Sequence, residues 1–97
     1  MAKINWTAEA EHWLHDIYLY ISKDNPQAAA STIQSIFEKA QILQNFPEAG
    51  HRYSHQSRKD IRILLFGHYR ITYLIKENGE IDILGIFHGA LDIERYL

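Results

Sequence analysis

Three observations predict an α+β fold in the order β-α-α-β-β-β: an antiparallel sheet with a helical hairpin packed on one face and a short C-terminal helical tail. Apolar residues recur at helical spacing over two stretches of the first half of the chain. The run Ile61 to His88 is rich in Ile, Leu, Phe and Tyr and is interrupted by Gly67-His68 and by Asn78-Gly79. Asn-Gly between apolar runs is the strongest short-range hairpin signal, because both central residues of a type I′ turn need positive φ. At 97 residues the chain is read as a single domain, 1–97.

Lys3 to Trp6 alternates polar and apolar residues over a short stretch, which fits an edge strand. Thr7 offers a hydroxyl to cap a helix, and Glu9 and Glu11 sit where the helix dipole favours anions. Ala10, Trp13, Leu14, Ile17 and Ile21 then form one helical face, predicting a helix from Ala8 to about Lys23. Asn25 is a good N-cap and Pro26 suits the first position of a second helix. Its inward stripe is Ala29, Ile33, Ile36, Ala40 and Leu43, and it stops before Pro47. The short connection makes the two helices an antiparallel hairpin.

Glu48 to Asp60 is polar, contains Gly50 and lacks either periodicity, so it reads as a loop. Three strands follow. With Asn78-Gly79 as a two-residue turn, Tyr73 faces Leu84, Ile71 faces Ile86 and Tyr69 faces His88. Alternation then places Tyr69, Ile71, Tyr73, Leu84 and Ile86 on a core face, and Arg70, Thr72, Leu74, Ile83 and Phe87 on a second face. Ala90 to Leu97 supplies a last helical turn or two.

Composition excludes several classes. The chain is 46% hydrophobic and 23% charged, ordinary for a globular protein. No apolar run approaches the ~20 residues of a membrane span, and no basic segment followed by an apolar stretch opens the chain. A cytoplasmic protein without membrane contact is expected. The absence of cysteine removes disulfides and thiolate zinc sites. A net charge of −2 argues against an electrostatic grip on nucleic acid by the whole domain. A local basic patch survives that average: Arg52, Arg58, Lys59, Arg62 and Arg70 face one acid, Asp60, between His51 and Arg70.

Histidines His12 and His15, and His51 and His55, have helical spacing but no accompanying Cys or HExxH pattern, so no metal or other cofactor is expected. His88 and Arg70 differ, because both fall in strands beside apolar neighbours. A histidine there can transfer protons and an arginine can stabilise charge developing on a phosphate. The alternative is structural: His88 hydrogen-bonded in the core, and Arg70 paired with Asp82, Asp92 or Glu94. Tyr69 and Tyr73 would suit base stacking if exposed, but the helices need an apolar face to cover, so both are assigned to the core.

The segments YLYISKDNPQAA, LQNFPEAGHR, HYRITYLI and ILGIFHGALDIERYL, in this order, resemble the RelE/ParE superfamily of bacterial type II toxins, which includes plasmid-stabilisation systems. The resemblance spans nearly the whole chain, and DNP-x-AA and FPEAGHR are nearer the ParE-like branch. It implies the same β-α-α-β-β-β fold and a cognate antitoxin that wraps the toxin. Two mechanisms divide the group: ParE-like members bind DNA gyrase, and RelE-like members are endoribonucleases that cut mRNA on the ribosome. Arg70 matches the arginine of the nucleases, and only if the chain is an endoribonuclease are Arg70 and His88 its expected catalytic residues. The nucleases' strand lysines fall here at about Ile61 and Ile63, which carry no charge, and Leu91 replaces the arginine of the usual His-Gly-Ala-Arg-Asp ending. The expectation is therefore a gyrase-binding toxin, with a ribosome-dependent endoribonuclease or a degenerate toxin that only binds antitoxin as alternatives. Arg52, Arg58, Lys59 and Arg62 are the expected contacts to target or nucleic acid, and Ile63, Leu65, Leu74, Ile83 and Phe87 the expected antitoxin surface.

Overall fold

The computed structural model describes residues 1–53 and 59–88; Arg58 and the helical tail expected after Gly89 lie outside the described residues. In chain order the elements are β1 (Ile4–Trp6), α1 (Ala8–Ser22), α2 (Pro26–Gln41), β2 (His51–Arg52), β3 (Asp60–Phe66), β4 (Tyr69–Ile75) and β5 (Ile81–His88). A 3-10 turn, Ile42–Gln44, extends α2 toward Pro47.

Both helices start where their caps dictate. The Thr7 hydroxyl accepts from the Ala10 N–H at 3.1 Å and donates to the Ile83 carbonyl at 2.6 Å, so one side chain starts α1 and ties it to the sheet. The Asn25 side-chain oxygen accepts from the Ala28 N–H at 3.0 Å, and Pro26 follows as the first residue of α2. Ala10, Leu14, Ile36, Ala40 and Leu43 are buried against Leu64, Ile71, Tyr73, Ile81 and Ile86 of the sheet. The hairpin thus covers one sheet face, as its apolar stripes require.

The sheet has five strands in the order β1-β5-β4-β3-β2. β3, β4 and β5 form the expected antiparallel meander. β1 departs from the all-antiparallel expectation, because it pairs parallel with β5 from Ile4 opposite Ile81 to Trp6 opposite Ile83, making the sheet mixed. The polar side of β1 helps fix that choice: the Asn5 amide donates to Glu80 Oε1 at 3.0 Å and to Asp82 Oδ1 at 2.9 Å. That bond, with Lys76 and Lys3 nearby, holds the Glu80 carboxyl below the usual carboxylate range. Within the segment read as a loop, His51 and Arg52 form β2 on the opposite edge, antiparallel to β3.

The β4–β5 hairpin differs from a two-residue type I′ turn in an instructive way. Gly79 has φ 86°, but no non-glycine residue among the described residues has positive φ, so Asn78 does not take the conformation that turn requires. The Gly79 N–H bonds to the Lys76 carbonyl at 2.9 Å and the Lys76 N–H to the Glu80 carbonyl at 2.8 Å, closing a three-residue loop. This shifts the nearby register by one residue, and Tyr73 lies opposite Ile83 rather than Leu84. A bulge between Thr72 and Tyr73 in the pairing, with Leu84 as the extra residue, restores it. Beyond the bulge Ile71 faces Ile86 and Tyr69 faces His88, as expected.

Because directly opposed residues share a sheet face, the bulge moves Ile83 from the second face into the core beneath the helices, where it is fully buried. The assignment of Ile83 to an antitoxin surface is corrected accordingly. On the second face Ile63, Thr72 and Phe87 are buried, with Trp13 and Tyr53 packed on the Ile63–Phe87 cluster. A Cβ at Gly85 would stand 2.7 Å from the Phe87 ring, so glycine there makes room for that ring.

Candidate functional site

Arg70 and His88 occupy the far ends of β4 and β5. Tyr69 lies opposite His88, and Arg70 lies opposite Phe87. Since neighbours along a strand point to opposite faces, His88 belongs to the helix-side face and Arg70 to the second face. The structure does not bring these two side chains together. His88 instead joins an aromatic group: its ring stacks with His68 at a centroid distance of 6.0 Å and meets Tyr69 edge-on at 6.2 Å. Asp82, one proposed partner of Arg70, is engaged by Asn5 and by Lys76 at 3.4 Å.

The basic patch divides by burial. Arg62 is held in place: Nε donates to Asp60 Oδ1 at 3.0 Å and Nη1 to the Gly50 carbonyl at 3.2 Å, leaving its side chain 17% exposed. Its role is to join β3 to the turn before β2. Arg52, opposite Arg62 across the β2–β3 pair, is far more open and lies 3.9 Å from Asp60, a loose pair worth little in water. Lys59, just before β3, is exposed too. Arg52 and Lys59 therefore supply a solvent-facing cationic edge, which Arg62 does not share.

Of the residues assigned to an antitoxin surface, Ile63 and Phe87 are buried, Leu74 is half-buried and Leu65 stands exposed on β3. Ile61 and Ile63, the positions at which the resemblance to the nucleases implied lysines, are both closed to solvent. His12 lies 3.6 Å from Asp16 on α1 with both side chains exposed.

The structure also reveals a groove that sequence reasoning missed, between the C-terminal half of α1 and the helix-facing ends of β4 and β5. It encloses about 550 Å³ and is lined by Trp13, Asp16, Ile17, Tyr20, Ile86 and His88, among others. Tyr69, assigned to the core, lines it too. A signal was available in Tyr20, an aromatic residue outside the inward stripe of α1 that is exposed and lines the groove.

Residues 4–93 match the family described as the ParE toxin of the type II toxin-antitoxin system, parDE. The chain belongs to the ParE toxin family. A relative from Sinorhizobium fredii, the candidate toxin Y4kP, is 31% identical over 87 residues, covering 90% of this chain and 88% of that protein. A solved structure described as a chromosomal ParDE toxin-antitoxin system from P. aeruginosa superposes with a TM-score of 0.74 at 26% identity, over 91% of this chain and 96% of the other. This ParE-type chain has the mixed five-stranded sheet and paired helices described above, and no helix among its described residues is long and apolar enough to cross a membrane.

Proposed function

We propose that this ParE-type chain is a bacterial cytoplasmic toxin that acts by binding DNA gyrase and is neutralised by a cognate antitoxin. Family membership supports the toxin–antitoxin setting. The separation of Arg70 and His88 onto opposite sheet faces carries the choice of mechanism. Metal-free RNA cleavage needs a base for the 2′-hydroxyl, an acid for the leaving oxygen and cations for the phosphate, all within reach of one bond. Here the two best candidates diverge, Arg62 is committed to Asp60 and Gly50, and the lysine positions hold buried isoleucines. Inhibition of an enzyme by binding requires only a complementary surface, and the exposed Arg52 and Lys59 provide cations for one.

The deciding experiment is a gyrase supercoiling assay with purified, antitoxin-free chain. Loss of supercoiling at stoichiometric toxin is expected; normal supercoiling at large excess would sink the reading. Arg70, at the position of the nucleases' arginine, keeps the endoribonuclease as a second reading. It requires cuts in a translated message that disappear with Arg70→Ala. A chain that neither blocks gyrase nor cuts message would be left with antitoxin binding alone.

A further inference from the structure

We propose that the turn over residues 46–52, FPEAGHR, is the face that grips the target, and that it grips protein rather than the DNA on which the target acts; the identity of that protein, DNA gyrase, rests on the reading above. The turn is held from within. The Phe46 N–H bonds to the Ile42 carbonyl at 2.9 Å and the Ala49 N–H to the Phe46 carbonyl at 3.0 Å. The Tyr73 hydroxyl donates to the Pro47 carbonyl and accepts from the Gly50 N–H, and Arg62 donates to the Gly50 carbonyl. These bonds are all made to the backbone of the turn, and Phe46, Glu48 and Arg52 remain exposed. A backbone already fixed in place lowers the ordering cost of binding.

The chemistry of the three side chains selects the occupant. Phe46 is 66% exposed at an open hollow of about 760 Å³, whose walls include Pro47, Glu48, Asp60 and Ile75. Its ring is an anchor waiting for cover, and buried aromatic anchors dominate the energetics of protein contacts. Among the described residues no lysine or arginine pairs with Glu48. Arg52, 3.9 Å from Asp60 in the wall of the hollow, brings the opposite charge to the same rim. An aromatic residue inside a polar rim of both signs matches the anatomy of a protein–protein contact. A phosphate backbone asks for cations throughout, and Glu48 would repel it. The partner therefore presents an apolar recess for Phe46, a basic side chain for Glu48 and a carboxylate for Arg52.

The test measures binding of the full chain to purified gyrase immobilised without DNA, alongside inhibition of supercoiling. Phe46→Ala is expected to weaken both about tenfold and Glu48→Lys about fivefold. Both residues are exposed, so thermal unfolding of the variants should match that of the parent. Glu48→Lys gives the deciding sign. Tighter binding by that variant, or binding of the parent only when DNA is present, would give the surface to nucleic acid and overturn the assignment. Parent-like binding and inhibition by both variants would also overturn it while leaving the gyrase reading intact. A parent chain that neither binds nor inhibits gyrase defeats the gyrase reading and takes the assignment with it. A dimer of the chain that Phe46→Ala dissolves, or release of copurifying antitoxin by the same variant, would hand the hollow to those partners and overturn the assignment as well.

Discussion

Tyr73 is a fully buried phenol whose hydroxyl donates to the Pro47 carbonyl at 2.7 Å and accepts from the Gly50 N–H at 2.9 Å. It fastens the turn after the helices to the middle of the sheet. Gly50 permits the approach, since a Cβ there would stand 2.8 Å from the same hydroxyl. Burial pushes the Tyr73 phenol up, against the opposing pull of the Gly50 hydrogen bond. An acid whose folded pKa is raised binds its proton more tightly when folded. Its stabilising contribution is therefore complete below the unfolded value of about 10 and is lost as pH rises through the folded value. Tyr73→Phe should cost about 1–3 kcal/mol, because it leaves a partly buried carbonyl and a buried N–H without a partner. Urea unfolding at neutral pH measures that loss, and the variant should also lack this residue's share of the alkaline decline. A variant as stable as the parent would show that water replaces the hydroxyl.

At the scale of elements, the β4–β5 hairpin combines two one-residue offsets that cancel. The three-residue loop moves the register one way and the Leu84 bulge returns it, so the distal pairs match those of a simple Asn-Gly turn while the proximal pairs do not. Ile83 reaches the helix-side core only because of this arrangement. Gly79 carries the positive φ that closes the loop, with open space around it. Gly79→Ala should therefore destabilise by about 1–2 kcal/mol through backbone conformation alone. Thermal unfolding checks this, and a neutral substitution would mean that the loop relaxes to another turn.

For the whole molecule, the distribution of charge separates the two candidate activities. Arg52 on β2 and Lys59 just before β3 lie at the β2 end of the strand order, while Glu9 and Asp16 lie on α1, whose strand contacts are chiefly with β5. Under the gyrase reading, Arg52→Glu combined with Lys59→Glu should weaken inhibition about tenfold. Arg70→Ala should leave it within about twofold, the size of a change too small to signal a lost interaction. Supercoiling titrations of the three proteins compare these directly; a larger loss from Arg70→Ala would place the working surface on the second face instead.

The helices and the meander were legible in the sequence because their signals are local. Thr7 and Asn25 cap where they stand, the stripes from Ala10 to Ile21 and from Ala29 to Leu43 follow the helical period, and Gly79 marks its turn. The likeness to ParE toxins rested on segments distributed along the chain, and it placed the family correctly. The direction of β1 and the burial of Ile83 depend on partners more than seventy residues away or on a bulge, whereas the opposite facing of Arg70 and His88 already followed from alternation along the strands. Side-chain alternation says which residues share a face of one strand; it does not say whether a three-residue strand pairs parallel or where a strand gains an extra residue. The groove beside α1 needed the most assembly, since its walls come from α1, β4 and β5 and its shape exists only once α1 is docked on the sheet. Local chemistry thus determined the elements, and tertiary packing decided which of their side chains meet, because hydrogen-bond register and docking geometry are properties of pairs of elements rather than of any one stretch of chain.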